Sequence, residues 1–359
     1  MGSPAAAEQG PSSPTSDPVG PASAPQASAA APGSREVIRW GILATGWIAK
    51  LFTEDLAHLP DAQVLAVGSR SLEGAQAFAE THNIPRAYGS WQELAADADL
   101  DVIYVATPHS AHHAATRVCL EAGRAVLCEK PFTLDHASAL DLVNLARERG
   151  LFLMEAMWMR TNPAIRRVVS LVAEGQIGEV RHISADFGLP GPVMPGHRLR
   201  APELGGGALL DLGVYPITLT YLFLGRPAHI RAWASLFPEG TDENTGIVFG
   251  YDSGAVATLA CGVRGKTPGR AVITGTEGRI EIPGPFHVPA GFTLIRGSEE
   301  TWVDVPYTGN GMNHEAAEVM RCLREGLTES PLIPLADTLE IMQILDEIRA
   351  QIGVTYPST

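Results

Sequence analysis

From Val37 onward, short runs of apolar residues alternate with stretches in which apolar residues recur every third or fourth position. Buried strands read as continuous apolar runs and surface helices as one-sided stripes, so the pattern predicts strands and helices in turn. Val37–Leu43 is the first predicted strand, and Ile48–Leu59 the first helix, with Phe52, Leu56 and Leu59 on one face. Val64–Gly68 and Leu72–His82 follow as strand and helix, and Ser90 with Glu93 forms a capping box that opens a short helix. Asp101–Ala106 is a third strand, followed by a helix through Leu120. Ala125–Glu129 and Leu151–Glu155 are two more strands, flanking a helix that Asp135 caps and Gly150 ends. Strands and helices at this spacing predict βαβ units and a doubly wound parallel sheet, with right-handed crossovers placing helices on both faces.

The pattern changes after Met157. Asn162-Pro163 opens a helix that stops near Gly175, with proline where a missing N–H costs nothing. Val180–Phe187 alternates as a strand. From Ala228 to about Val305 the chain reads as successive strands: Ile230–Phe237, Gly246–Tyr251, Ala255–Cys261, Ala271–Gly275 and Arg279–Ile282, with Thr276-Glu277-Gly278 as a hairpin turn. Helices near His314–Glu325 and Leu335–Gln351 close the chain. The expectation is an α/β protein of two domains, a parallel-sheet domain over 36–157 and an α+β domain over 158–359. The second sheet should be open and mostly antiparallel, with helices on one face and the other face wet or paired with a second subunit.

Residues 1–34 are nearly all Ala, Pro, Ser and Gly, with no aromatic residue and a single Val. Such a segment buries too little apolar surface to offset its ordering entropy, so a disordered tail is expected. It lacks the basic start and apolar core of a secretory signal. With no uninterrupted apolar run of about 18 residues, no membrane span is expected either, and a cytoplasmic location follows. Cys119, Cys128, Cys261 and Cys322 show neither disulfide nor zinc spacing and read as buried, reduced thiols. A net charge of −14 without a basic stripe argues against a nucleic-acid partner and for a small molecule.

The first strand runs into Ala44-Thr45-Gly46-Trp47-Ile48-Ala49, which matches G-x-G-x-x-G/A with alanine at the first glycine. The middle glycine matters most, because a side chain there blocks the backbone's approach to a pyrophosphate, while the helix N-terminus that follows holds the phosphate. Taken alone the match is weak, but it follows a strand and opens a helix inside a βαβ unit, as a dinucleotide-binding Rossmann domain requires. At the end of the second strand, where an NAD enzyme places a carboxylate for the ribose, stand Ser69 and Arg70. A guanidinium pairs instead with a 2′-phosphate, so NADP is favoured over NAD.

Hydride transfer needs a proton donor or acceptor beside the carbinol carbon. Glu129-Lys130-Pro131 ends the fourth strand, where a lysine can shuttle that proton, its pKa lowered towards neutrality by partial desolvation and the oxidised ring. Pro131 is a candidate cis proline. Thr107-Pro108 at the end of the third strand can cover the nicotinamide, and His109 and His112 can line the pocket; without a carboxylate beside them, no metal site is expected. A glycine triplet, Gly205 to Gly207, precedes Asp211 and Tyr215, which share a face if the segment is helical. Pro216 puts that pair near the first turns of the helix.

In this order and spacing, these motifs resemble the glucose–fructose oxidoreductase / inositol dehydrogenase (Gfo/Idh/MocA) family over about Val37 to Ile348. Within it the chain looks most similar to the branch of dimeric dihydrodiol and NADP-dependent D-xylose dehydrogenases, on stretches such as Ala125–Pro131, Leu151–Ala156 and Gly206–Gly213 and on Tyr215, where most of the family has histidine. The resemblance implies a nicotinamide-dependent oxidoreductase acting on a diol, sugar or ketone, with a homodimer through the C-terminal sheet. It implies that Tyr215 exchanges the proton, Lys130 lowers its pKa, Asp211 positions the substrate hydroxyl, and His109, His112, Trp158 and Phe187 line the pocket. Arg70 matches a 2′-phosphate contact. The chain departs from that branch between Leu189 and Leu204, which leaves a pyranose as open as an aromatic dihydrodiol. Two other readings remain: a ketoreductase of a nucleotide-linked sugar, for which His197, Arg198 and Arg200 offer a basic patch, and a cofactor-binding regulator without catalysis.

Overall fold

The structure is a computed structural model that describes residues 37–357 and Gly2; the expected tail over 1–34 otherwise lies outside the described residues. Its first half alternates β1 (Ile38–Leu43), α1 (Trp47–Leu56), β2 (Ala62–Gly68), α2 (Leu72–His82), β3 (Arg86–Tyr88), α3 (Trp91–Ala96), β4 (Val102–Val105), α4 (His112–Glu121), β5 (Ala125–Glu129), α5 (His136–Arg149) and β6 (Leu153–Ala156). The six strands form one sheet in the order β3-β2-β1-β4-β5-β6, parallel throughout. Ile42 lies opposite Val67 on one side and Tyr104 on the other, and the strand order reverses between β1 and β4. Ligands of such sheets bind in the crevice at that switch, beyond the strands' carboxyl ends.

The sequence signals explain most of these boundaries. Ser71, Ser90 and Asp135 each accept an N–H of the helix they precede, and Gly150 ends α5 in the left-handed region at φ 62°. The glutamate of the Ser90 box bonds the N–H of Gly89. Phe52 fixes α1 to the sheet, stacked on Tyr104 at 3.8 Å and edge-on to Trp40 at 5.3 Å. Its burial contributes about 2–3 kcal/mol and holds the N-terminus of α1 over the carboxyl edge of β1.

The second half runs α6 (Pro163–Ala173), β7 (Val180–Gly188), α7 (Val214–Leu224), β8 (His229–Leu236), β9 (Asp242–Gly250), β10 (Val256–Gly262), β11 (Ala271–Gly275), β12 (Arg279–Ile282), β13 (Gly291–Arg296), β14 (Glu299–Asp304), α8 (Asn313–Arg324) and α9 (Leu335–Ile352). The eight strands form a second sheet, ordered β14-β13-β12-β11-β7-β10-β9-β8. Only β7 and β10 pair in parallel. One face packs on α7 and the segment before it. The other carries exposed large side chains on its outer strands, Trp233 at 75% and Val248 at 47% exposure.

One expectation needs correction. The closing helices do not simply lie on the second sheet. Helix α9 bridges both: Gln351 bonds Ile230 and Ala232 of β8, while Asp346 accepts the N–H of His136 at the start of α5. Helix α8 packs on α1, where Asp55 accepts N–H groups of Asn310, Met312 and Asn313. Both helices are shared between layers, and buried residues of the two halves form one continuous core. The burial of one long apolar segment agrees with the expectation of no membrane span. The segment Pro202–Leu224 is long and apolar enough by composition to cross a bilayer, but 78% of its most apolar window is buried inside the protein. It is a core helix, and it carries the candidate site.

Candidate active site

At the end of β1 the chain turns sharply. Ala44 takes φ 113°, a left-handed value that strains alanine and that the usual first glycine adopts freely. Gly46 has φ −78° and needs no glycine for its own backbone. A Cβ built on it meets nothing within 4 Å. The glycine therefore keeps open a space that the chain does not fill. Helix α1 starts there with no side-chain cap, leaving its first N–H groups free for a ligand. Thr45, Trp47 and Ile48 complete the turn, and Trp47 is largely exposed. Across the switch, Thr107 follows β4 with its hydroxyl buried and unpartnered, beside exposed Pro108. The open space, uncapped helix and orphaned hydroxyl fit a dinucleotide lying along the crevice. At the end of β2, Arg70 is exposed, with no hydrogen bond or ion pair to the described residues. Ser71 already serves as the cap of α2, which leaves Ser69 as the neighbouring hydroxyl.

The chemical groups converge where β5 meets the segment before α7. Residues 209–213 form one wide π-helical turn, a form concentrated at functional sites, and α7 follows directly. Pro216 is the third residue of α7, inside the first turn as expected. The turn is anchored by Asp242, which accepts the Leu209 N–H at 2.7 Å. Lys130 reaches across from β5, next to a cis Lys130–Pro131 bond. Its Nζ lies 2.8 Å from the Asp211 carbonyl oxygen, 3.3 Å from Asp211 Oδ1 and 5.0 Å from the Tyr215 ring centre. Trp158 donates its indole N–H to the Tyr215 oxygen at 2.7 Å. His109 faces Asp211 Oδ1 at 3.4 Å through Nε2 and Gly205 O at 2.9 Å through Nδ1. Lys130, Asp211, Tyr215, Trp158, His109 and Phe187, whose ring lies 5.6 Å from that of Tyr215, thus form one cluster.

Burial alone would raise the Asp211 carboxyl, but Lys130, His109 and Arg198 hold it well below the usual carboxylate range. Burial would likewise lower Lys130, yet Asp211, Tyr215 and Glu129 outweigh it and keep the ammonium above its ordinary value. In the chain by itself Lys130 is thus held as a cation, and the expected lowering towards neutrality depends on the charge of an oxidised ring. Burial pushes the Tyr215 phenol up to about 12, and Lys130 pulls against it. Glu129 lies beneath, fully buried, accepting from Tyr104 and from the Lys130 N–H.

His112 does not face the pocket. It is fully buried, with its ring nitrogens 2.8 Å from Pro131 O and 2.9 Å from Thr107 O. Burial pushes it down to about 3, so the neutral ring donates its one N–H to one of the two carbonyls, and the other nitrogen packs against the second. Its work is to tie the β4 and β5 loops together, a role that opening a helix after Thr107-Pro108 could not reveal. Two residues join the site that the motifs did not mark. Arg198, half-exposed, spans both oxygens of Asp211 at 3.1 and 3.4 Å. His287, between β12 and β13, stacks on Phe187 at 4.5 Å. Arg198 carried only a basic-patch signal, and His287 none at all.

Comparison with known proteins gives this arrangement its class. Residues 38–157 match the model of an oxidoreductase family with an NAD-binding Rossmann fold, and residues 165–281 match the GFO/IDH/MocA C-terminal domain. The chain is an NAD(P)-dependent oxidoreductase. It belongs to the Gfo/Idh/MocA family. Among curated relatives, the trans-1,2-dihydrobenzene-1,2-diol dehydrogenase of Xenopus laevis is 42% identical over 331 residues, spanning 89% of this chain and 99% of that one. The human enzyme of the same name is 38% identical, spanning 89% and 98%. A 3-ketoreductase from Actinomadura kijaniata, solved with NADP and TDP-benzene, superposes with a TM-score of 0.79 at 28% identity, covering 90% of this chain and all of that one.

Proposed function

We propose that the protein is an NADP-dependent dehydrogenase of a vicinal diol or sugar hydroxyl, working also as reductase of the matching ketone. The observation that carries this is the meeting of Lys130, from the first sheet, with Asp211 and Tyr215, from the helix against the second, in one pocket. The nicotinamide, when bound, supplies the hydride acceptor or donor. Thr45 to Ile48, Thr107 and Pro108 would hold it, and Ser69 and Arg70 would take the 2′-phosphate. Tyr215 accepts the proton of the substrate hydroxyl during oxidation and returns it during reduction. Lys130 favours the phenolate by its charge, and Asp211, fixed by Lys130 and Arg198, orients the hydroxyl. Trp158, Phe187 and His109 bound the substrate.

The relatives' names support a diol substrate, and the ketoreductase solved with NADP supports the cofactor choice. A nucleotide-linked sugar is disfavoured by the ion pairs: Arg198 is spent on Asp211, and Arg200 on Glu239. The outer face of the second sheet, with Trp233 and Val248, is the proposed homodimer surface.

The test is an absorbance assay at the reduced-cofactor band, with a panel of diols, pyranoses and 1,2-dicarbonyls and with both NADP and NAD. Turnover with diols or pyranoses and NADP is expected. Tight cofactor binding without turnover of any of them would make the protein a regulator. Arg70→Ala should raise the KM for NADP by about tenfold or more, as loss of a charge-assisted contact implies, with little change for NAD; equal weakening of both would remove the phosphate contact.

A further inference from the structure

His287 lies in the loop from Pro283 to Ala290, which is pinned at both sides of the histidine. The Phe286 N–H bonds Gly269 O at 2.9 Å, and Asn162 donates to Pro289 O at 3.3 Å. The imidazole is therefore held against the substrate pocket. It stacks on Phe187 at an interplanar angle of 19°, meets the Tyr215 ring at 4.9 Å and stands edge-on to Trp158 at 5.5 Å. In a purely apolar packing role, phenylalanine would serve as well. Instead the ring brings two polar nitrogens into an aromatic box. Nδ1 is buried without a partner, and His287 makes no hydrogen bond to the described residues. A buried nitrogen left without a partner costs its desolvation with no return from the chain. A ligand that hydrogen-bonds the ring supplies that return.

We propose that His287 is a specificity-determining residue of this pocket, hydrogen-bonding a second substrate hydroxyl next to the one that faces Tyr215. This rests on the reading of the site as a hydroxyl dehydrogenase given above. The adjacent rings of Tyr215 and His287 present a phenol and an imidazole side by side, which suits neighbouring carbons each bearing oxygen. Burial, then the charge of Lys130, pushes the imidazole down to about 4. The ring is thus neutral at working pH, with one N–H donor and one lone pair, and it can serve a hydroxyl in either sense. A lone alcohol leaves it unserved. The site accordingly prefers a vicinal diol, or a sugar with a hydroxyl beside the reacting carbon, over a simple secondary alcohol.

The experiment compares trans-1,2-cyclohexanediol with cyclohexanol, and D-glucose with 2-deoxy-D-glucose, in wild type, His287→Phe and His287→Gln. The quantity read is the ratio of kcat/KM within each pair, which does not depend on the fraction of active enzyme. Wild type should favour the member with the second hydroxyl, and His287→Phe should lower that ratio by about 10–100-fold, as for loss of a hydrogen bond built for a substrate hydroxyl. His287→Gln, which keeps a donor and an acceptor, should recover part of it. An unchanged ratio in His287→Phe, or no preference in wild type, overturns the assignment and leaves the dehydrogenase reading standing. If wild type turns over neither pair, nor any member of the wider panel, the reading of the site falls, and this assignment with it.

Discussion

Lys130 and Tyr215 differ in what each can do with a proton. In the proposed reaction Lys130, held charged by Asp211, acts through its field, whereas the phenol is the group that titrates into use. With its pKa raised to about 12 by burial, Tyr215 is a base only in the small fraction ionised, and that fraction grows with pH. Alcohol oxidation should therefore climb throughout the alkaline range in a plot of kcat/KM against pH, and Lys130→Ala should move the rise to still higher pH. Both Lys130→Ala and Tyr215→Phe should cut kcat by about 10²–10⁴-fold with NADPH affinity nearly intact; cofactor affinity that falls while turnover survives would place them elsewhere. That these two residues and Asp211 come together was legible because each sits at a motif tied to a strand end or a helix start. His112 was misread in its contacts, since a histidine that opens a helix looks the same whether it faces pocket or backbone. His287 lies amid Pro283, Gly284, Pro285 and Pro289, in a stretch with no periodicity, and only the folded loop brings it to Phe187.

Elements were legible where burial is one-sided. The strands of the first sheet and the amphipathic helices show it, and their ends agree with the sequence within a few residues. Strand β3 has three residues, none of them buried, and β14 is an edge strand exposed along nearly its whole length; neither gives the alternation by which strands are read. The joint between β6 and α9 was equally hidden. There Glu155 is fully buried and accepts the Thr338 hydroxyl at 2.9 Å. Burial pushes its carboxyl up to about 7 from 4.5. A raised folded-state value means that its contribution to stability is complete below pH 4.5 and is lost as pH rises through 7. Glutamine mimics the protonated form, so Glu155→Gln should stabilise the protein at pH 8.5 relative to wild type, by at most about 3 kcal/mol, and have little effect at pH 4.5. Denaturant titrations at the two pH values check this, and an equal effect at both would show that Glu155 does not titrate with folding.

At the scale of the whole molecule, the second sheet presents Trp233 and Val248 outward from adjoining strands β8 and β9 with no helix over them. Sedimentation should give twice the mass of the chain, and Trp233→Glu should shift the protein towards monomer with the fold intact. A wild-type protein that sediments as a monomer at micromolar concentration would remove the proposed dimer. The return of the last helices to the first sheet has its own consequence. At the outer edge of β6 the Leu153 N–H donates to Thr328 O, Asp346 accepts the His136 N–H at the start of α5, and Asp55 gathers the loop before α8. A premature stop ahead of Asn310 would therefore leave Asp55 of α1 without the N–H groups it accepts and β6 without its bond to Thr328.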